Sequence, residues 1–276
     1  MFLTLFLMIY NLLCAPVNAA PAQIVSTGDL GAIEKELETL DSNSLVLFDV
    51  DLTLIVPNDA ILRPASSDYL DELLGGEKVQ NLPTGRRYVF REILTKAPHS
   101  LIDERSLSLV RKLQERGVPV AAFTNAPRGK VGNIESVADW RVEELQRFGF
   151  DFSSTWQNKE IVELPKDQDQ EFAPIFKSGI IFSSLHPKGK TLSNFLAAID
   201  WKPKKVVMID DEVKYVQSVG ESLKTLGVSY TGFHYTGAKQ LPCNLDRETA
   251  QFQVRRFFES GEWITDTRSS LPSGPF

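Results

Sequence analysis

Cysteine is almost missing from this chain: 276 residues hold two, Cys14 and Cys243. A disulfide-stapled scaffold is therefore excluded, and the fold must be held by its core. Histidine is nearly as scarce, and His99, His186 and His234 are spaced like no zinc-ligand set. No basic excess is present either, with 30 Lys and Arg against 36 Asp and Glu and a net charge of −6. The usual footprint of a nucleic-acid partner is thus lacking. There is no internal repeat. The 42% hydrophobic and 24% charged content is ordinary for a globular protein and leaves out disorder and collagen-like structure. A chain of this length buries a real core, as one large domain or as a core with a smaller insertion.

Residues 1–20 lack all four charged residue types. The apolar run from Phe2 to Tyr10 extends through Leu12 to Ala15 and ends at Pro16-Val17-Asn18-Ala19-Ala20. Small residues at Val17 and Ala19 give the layout of a secretory signal peptide over residues 1–19, cut after Ala19, although no positive residue precedes the run. The alternative is a retained anchor, for which the run is short, since a span needs about 20 apolar residues. Leu13 stands where a lipoprotein needs a small residue before Cys14. A signal of this kind implies a periplasmic or secreted protein with no stable membrane association after cleavage. Cys243, in Leu241-Pro242-Cys243-Asn244, then remains alone and reads as an incidental loop thiol.

Beyond the leader, apolar periodicity alternates between helix and strand. Leu30, Ile33, Leu37 and Leu40 recur at helical spacing, with Ser26 or Thr27 as the cap. Leu45-Val46-Leu47-Phe48 is a continuous apolar run of the kind that forms a strand covered on both faces. Helices follow over Arg105 to Arg116 and Val137 to Phe148, each stopped by Gly, and over Thr191 to Ile199. Further strands read at Val118 to Phe123, Lys205 to Ile209 and Val228 to Phe233, with a helix from Val213 to Leu226 before the last. This alternation predicts a three-layer Rossmann-like α/β fold with a parallel sheet. About 50 residues from Ile55 to Glu104 are too long for a plain connection and contain two helix-like stretches, so residues 55–104 read as a helical cap insertion. The core is then 20–54 and 105–276. Glu160 to Ser184 reads as a small β excursion around Phe176-Lys177-Ser178-Gly179, and Asp246 to Glu259 as a terminal helix before a frayed end.

Three predicted strands end in reactive residues: Asp49-Val50-Asp51-Leu52-Thr53, Thr124-Asn125 and Asp210-Asp211. In open α/β sheets ligands bind beyond the carboxyl ends of the strands, which gathers these groups on one rim. Crowded carboxylates raise one another's pKa unless a cation sits among them. Oxygen ligands at a partly open site favour Mg²⁺.

These residues, in this order and each at a strand end, resemble the motifs of the haloacid dehalogenase-like superfamily of phosphohydrolases. Asp49-Val50-Asp51-Leu52-Thr53 matches its Asp-x-Asp-x-Thr, Thr124 its strand-closing Thr, Pro187-Lys188-Gly189-Lys190 its Lys at a helix start, and Asp210-Asp211 its acid pair. The resemblance runs from Leu45 to Phe233. Lys188 to Leu192, Asn194 to Leu196 and Phe233 to Thr236 are further similar to an exported bacterial group within it.

The resemblance implies Asp49 as nucleophile, forming an aspartyl-phosphate, and Asp51 as general acid and then base. It implies Thr124, with Asn125, as phosphoryl ligands and a Lys as charge partner. Mg²⁺ would be held by Asp49, the Asp51 carbonyl and Asp210, with Asp211 ligating through water or orienting its neighbour. A dehalogenase needs no acid at the position of Asp51, which favours a phosphatase. Lys188 and Lys190 both remain candidates for the catalytic lysine, with Lys188 preferred. Gly189-Lys190-Thr191 is not a P-loop, because Ser184 occupies the position of its first glycine. His186 reads as a loop residue, and Arg63, Arg86 and Arg87 as a solvated face of the insertion. The expected function is an exported Mg²⁺-dependent phosphomonoesterase acting on a small-molecule phosphate ester. The alternatives are a phosphomutase and a weakly catalytic or non-catalytic surface module.

Overall fold

The computed structural model describes residues 22–75, 85–156 and 159–269. The expected leader, the chain end beyond Ser269 and the side chains of Arg86 and Arg87 lie outside the described residues. In chain order the elements are β1 (Gln23–Thr27), α1 (Leu30–Leu37), β2 (Ser44–Phe48), β3 (Ile55–Pro57), α2 (Ser67–Leu74), α3 (Gly85–Lys96) and β4 (His99–Leu101). Then come α4 (Arg105–Glu115), β5 (Val120–Thr124), α5 (Val137–Phe148), β6 (Ile161–Glu163), β7 (Ile175–Lys177), β8 (Ile180–Phe182) and α6 (Lys188–Ala198). The chain closes with β9 (Lys205–Asp210), α7 (Val213–Leu226), β10 (Ser229–Tyr235), α8 (Arg247–Ser260) and α9 (Asp266–Ser269).

The central sheet runs β1-β10-β9-β2-β5-β8-β7-β6, parallel from β1 to β8 and antiparallel over the last two pairings. Successive strand residues point to opposite faces, and β2 shows what this does to a continuous apolar run. Val46 and Phe48 pack with α1, α4 and α5 on one side, while Leu45 and Leu47 pack with α6 and α7 on the other. β9 divides the same way, with Val207 and Ile209 in the first cluster and Val206 and Met208 in the second. The protein is thus a three-layer Rossmann-like α/β fold, as the alternation predicts. The β excursion is the β7–β8 hairpin, whose turn residues Ser178 and Gly179 have φ of 49° and 80°. Positive φ at both central residues is the turn that matches strand twist.

Two local expectations are corrected. Ser26 and Thr27 do not cap α1, because both belong to β1, an edge strand paired with β10. The cap is Asp29, whose carboxylate accepts from the Gly31 N–H at 2.9 Å. β1 escapes periodicity because only one of its faces is partly covered, so it carries no apolar run. α6 begins at Lys188, three residues before the expected Thr191.

The insertion enters and leaves through the β3–β4 ribbon, which pairs Ile55 with Leu101 and Pro57 with His99. Its helices build a third cluster around Leu62, Leu70, Val89 and Ile93. The sequence groups residues 105–276 with the core, and α8 departs from that grouping. Its Ala250, Val254 and Phe257 pack into the insertion's cluster. An apolar stripe shows that a helix needs a partner but not which one. The same seam holds Cys243, whose Sγ lies 3.2 Å from Ser66 Oγ, so the thiol is half-buried rather than a free loop group. Among the described residues no helix is long and apolar enough to cross a membrane.

Candidate functional site

β9, β2 and β5 are neighbours and parallel, so their carboxyl ends open side by side. Phe48 is level with Ile209 on one side and Ala122 on the other, and the Asp49 N–H donates to Ile209 O at 2.8 Å. Register alone therefore sets Asp49 beside Asp210 and brings Thr124 to the same rim. After Asp49 the chain turns on the Val50 carbonyl, which accepts from Leu54 N–H at 2.9 Å and Ile55 N–H at 3.1 Å. Leu52 takes a left-handed φ of 63° within this turn. Thr53 then ties the two acidic loops together, its Oγ1 accepting from the Asp211 N–H at 3.1 Å. Asp210 is fixed in turn by the Glu212 N–H, which donates to Oδ1 at 2.9 Å.

Of the two candidate lysines, Lys188 is the one that reaches the carboxylates. Its Nζ has no exposed surface and donates to Asp49 Oδ1 at 2.6 Å, Asp210 Oδ2 at 2.7 Å and Phe123 O at 2.7 Å. The rings of Phe123 and Tyr215 flank it at 5.1 and 4.9 Å. Lys190 faces outward and pairs with Asp167 at the surface. Gly189, between them, lets α6 lie directly on α7: a Cβ there would fall 2.1 Å from Ser218 O.

Thr124 is buried, its Oγ1 accepting from Ala126 N–H at 3.1 Å. The Asn125 amide donates to Tyr215 OH and accepts from Ser183 Oγ, both at 2.7 Å. His186 is a bracket of its loop, as expected. Its Nδ1 lies 2.9 Å from Ser183 O, and its Nε2 accepts from the Asp167 N–H at 3.0 Å.

Sequence reasoning missed Arg141. This buried residue of α5 donates to Asp51 Oδ1 at 2.8 Å and to Glu144 Oε2 at 2.5 Å. Glu144 reaches on to His99 Nδ1 at 3.1 Å, so His99 is no bystander. Asp51 is thus the outer end of a row of polar side chains that crosses from α5 to the β3–β4 ribbon. Helical spacing sets Arg141 on the same face as the buried Val137, Ala138 and Leu145, the one signal of its burial, but its acidic partner lies 90 residues away.

The electrostatics show what the cluster wants. Burial lifts the Asp49 carboxyl to about 7, with Asp210 and Asp51 adding to the rise against the pull of Lys188. Burial, then repulsion from Asp49 and Asp210, takes Asp211 to about 9. Asp210 is raised as well, chiefly by burial. For Lys188 burial works against the ammonium, but Asp210 and Asp49 outweigh it and hold its pKa above the ordinary range. Carboxylate oxygens of Asp49, Asp210 and Asp211 lie within 4.8 Å of one another. Three acids this close, all pushed toward protonation, have the charge and donor type that fit a hard divalent cation. Asp49 and Asp211 border a cavity of ≈ 550 Å³ whose wall includes Asp51, Thr124, Asn125 and Arg141.

Fold and site together define a three-layer α/β protein with a lysine-bridged carboxylate cluster at the carboxyl ends of its parallel strands. The chain belongs to the family described as "Protein of unknown function (DUF2608)", whose model matches residues 26–267. An uncharacterized protein of Rickettsia prowazekii is 27% identical over 268 residues, covering 93% of each chain. A protein of Chlamydia trachomatis named "Putative outer membrane protein" is 24% identical over 85% of each chain. A similarly named protein of Chlamydia pneumoniae is 22% identical over 73% of this chain and 72% of its own.

Proposed function

We propose that the protein is an exported Mg²⁺-dependent phosphomonoesterase of haloacid dehalogenase-like type, acting through an aspartyl-phosphate on Asp49. The observation that carries this reading is Lys188 Nζ, buried and bonded to both Asp49 and Asp210, with Asp211 adjacent. A structural ion pair needs one acid for one base. Here several acids crowd a single buried ammonium at the mouth of a cavity.

Lys188 holds Asp49 through Oδ1 and leaves Oδ2 to attack phosphorus. As the new P–O bond forms, the ester P–O bond breaks, and Asp51 delivers its proton to the leaving oxygen. Asp51 then takes a proton from water, whose oxygen attacks the acyl phosphate and releases inorganic phosphate with Asp49 restored. Asp51 is oriented for both transfers by Arg141. Thr124 and the Asn125 backbone hold phosphoryl oxygens, and Lys188 balances their charge. Asp49, the Asp51 carbonyl and Asp210, with Asp211 assisting, would hold Mg²⁺, which would supply positive charge against the phosphoryl group.

The uncharged apolar leader and the names of the chlamydial relatives support an exported or envelope location. The test is p-nitrophenyl phosphate hydrolysis by purified protein with Mg²⁺ and with EDTA. Turnover that needs the metal and vanishes in Asp49→Asn supports the reading. Turnover unchanged in that variant refutes it.

A further inference from the structure

A second cavity of ≈ 490 Å³ is formed by the insertion against Leu52, and the phosphomonoesterase reading does not use it. Its wall is mostly apolar, built chiefly by Leu62, Leu70 and Leu74 with Leu52 and Phe90. Leu52 and Phe90 also line the carboxylate cavity, so these two side chains stand between the two spaces. Leu52 comes directly after Asp51, in the turn that holds the acids, with its φ in the left-handed region. The space is a half-open pocket rather than a closed interior void. Ligand pockets span about 300–1,000 Å³ and are mostly apolar with few polar groups. Arg63 is the polar feature on this wall that stands out. Its Nε is buried and finds no partner among the described residues.

A sugar or nucleoside body is a poorer occupant. Arg63, Ser67 and Asp71 offer polar partners at this wall, but most of its hydroxyls and ring nitrogens would lose water against leucine side chains. We infer that the site takes a phosphate monoester carried on an apolar chain: the phosphate sits at Asp49, and the chain passes Leu52 and Phe90 into the second cavity. Arg63 Nε then offers a donor to an ester or ether oxygen on such a chain. This inference rests on the phosphomonoesterase reading for the place of the phosphate, and it adds the substrate class.

The test uses linear alkylphosphonates from ethyl to octyl, whose C–P bond is not hydrolysed, titrated calorimetrically into the protein with Mg²⁺. Each methylene entering the cavity tightens binding about three- to fourfold, so Kd falls steeply from butyl to octyl. Ser67 lies on the cavity wall at an exposed position. Ser67→Trp is expected to flatten the series while leaving ethylphosphonate binding and p-nitrophenyl phosphate turnover unchanged. A Kd independent of chain length in the unaltered protein overturns the inference, and so does a slope that survives Ser67→Trp in a folded variant. With turnover present and a flat series, only this inference fails. A steep series without turnover of any ester leaves the chain-binding cavity standing and removes the phosphatase reading.

Discussion

Replacing Lys188 by Met removes an ammonium that lies, wholly buried, between Asp49 and Asp210. Methionine keeps the length of the side chain, so the change is chiefly one of charge. Two buried carboxylates lose their counter-ion, and breaking a buried pair in this way costs about 3–5 kcal/mol. For a chain of this size each kcal/mol moves Tm by about 2–4 °C, which gives a drop of about 6–20 °C. The pH dependence carries a definite sign. Asp49 already stands near 7 against the lowering pull of Lys188, and without that pull it rises further. The folded variant then binds protons that the unfolded chain, near 3.8, has released, so its stability falls as pH rises above about 4. Both proteins share this loss up to about pH 7, where the unaltered Asp49 ionises, so the gap is smallest at pH 5 and widens above 7, being larger at pH 8. Thermal melts followed by circular dichroism at both values measure it. Lys190→Met is the control, because it breaks only an exposed pair with Asp167 and costs under about 1 kcal/mol. Equal melting of the two variants at pH 8, or a Lys188→Met gap that does not shrink at pH 5, would refute the reasoning.

Other consequences follow from the same geometry. Arg141→Met frees Asp51 and leaves Glu144 buried beside His99; it is expected to lower kcat for p-nitrophenyl phosphate about 10- to 100-fold, with Km moving less, as read from steady-state kinetics. Asp211 and Asp49 are both raised, so the metal-free protein loses stability as pH climbs from about 4 toward 9. Mg²⁺ competes with those protons, and its stabilising Tm shift is expected to be larger at pH 8 than at pH 5.5; a shift independent of pH would count against a metal at these carboxylates. Gly189→Ala drives a methyl group against Ser218 O on α7, costing about 1–3 kcal/mol and, because it moves Lys188, lowering activity together with Tm.

The parts of this account that the sequence foretells are those with a strong local cause. β2 is readable because both of its faces are buried, which turns it into an unbroken apolar run. α5 ends where expected because Gly149 takes a left-handed φ of 96°. The acids at the ends of β2 and β9 could be grouped before any coordinates because parallel pairing leaves little freedom in where strand ends go. What escaped depends on partners distant in the chain. β1 is an edge strand with one face partly covered, and α8 docks on the insertion rather than on the core. The choice of Lys188 over Lys190 turns on which residue opens α6, a matter of one helical register. Arg141 shares its helical face with the apolar Val137, Ala138 and Leu145, but its pairing with Asp51 follows from where α5 lands beside the turn after Asp49.

The central claim is that Asp49 carries the phosphoryl group. The most direct measurement is to mix the protein with p-nitrophenyl phosphate and Mg²⁺, quench within a turnover, and reduce with borohydride. Borohydride converts an aspartyl-phosphate to homoserine while leaving free carboxylates intact, and peptide mass spectrometry then locates the change. Homoserine at position 49, absent when substrate is omitted, is the expected result. Reduction at another residue, or none while turnover proceeds, would contradict the account.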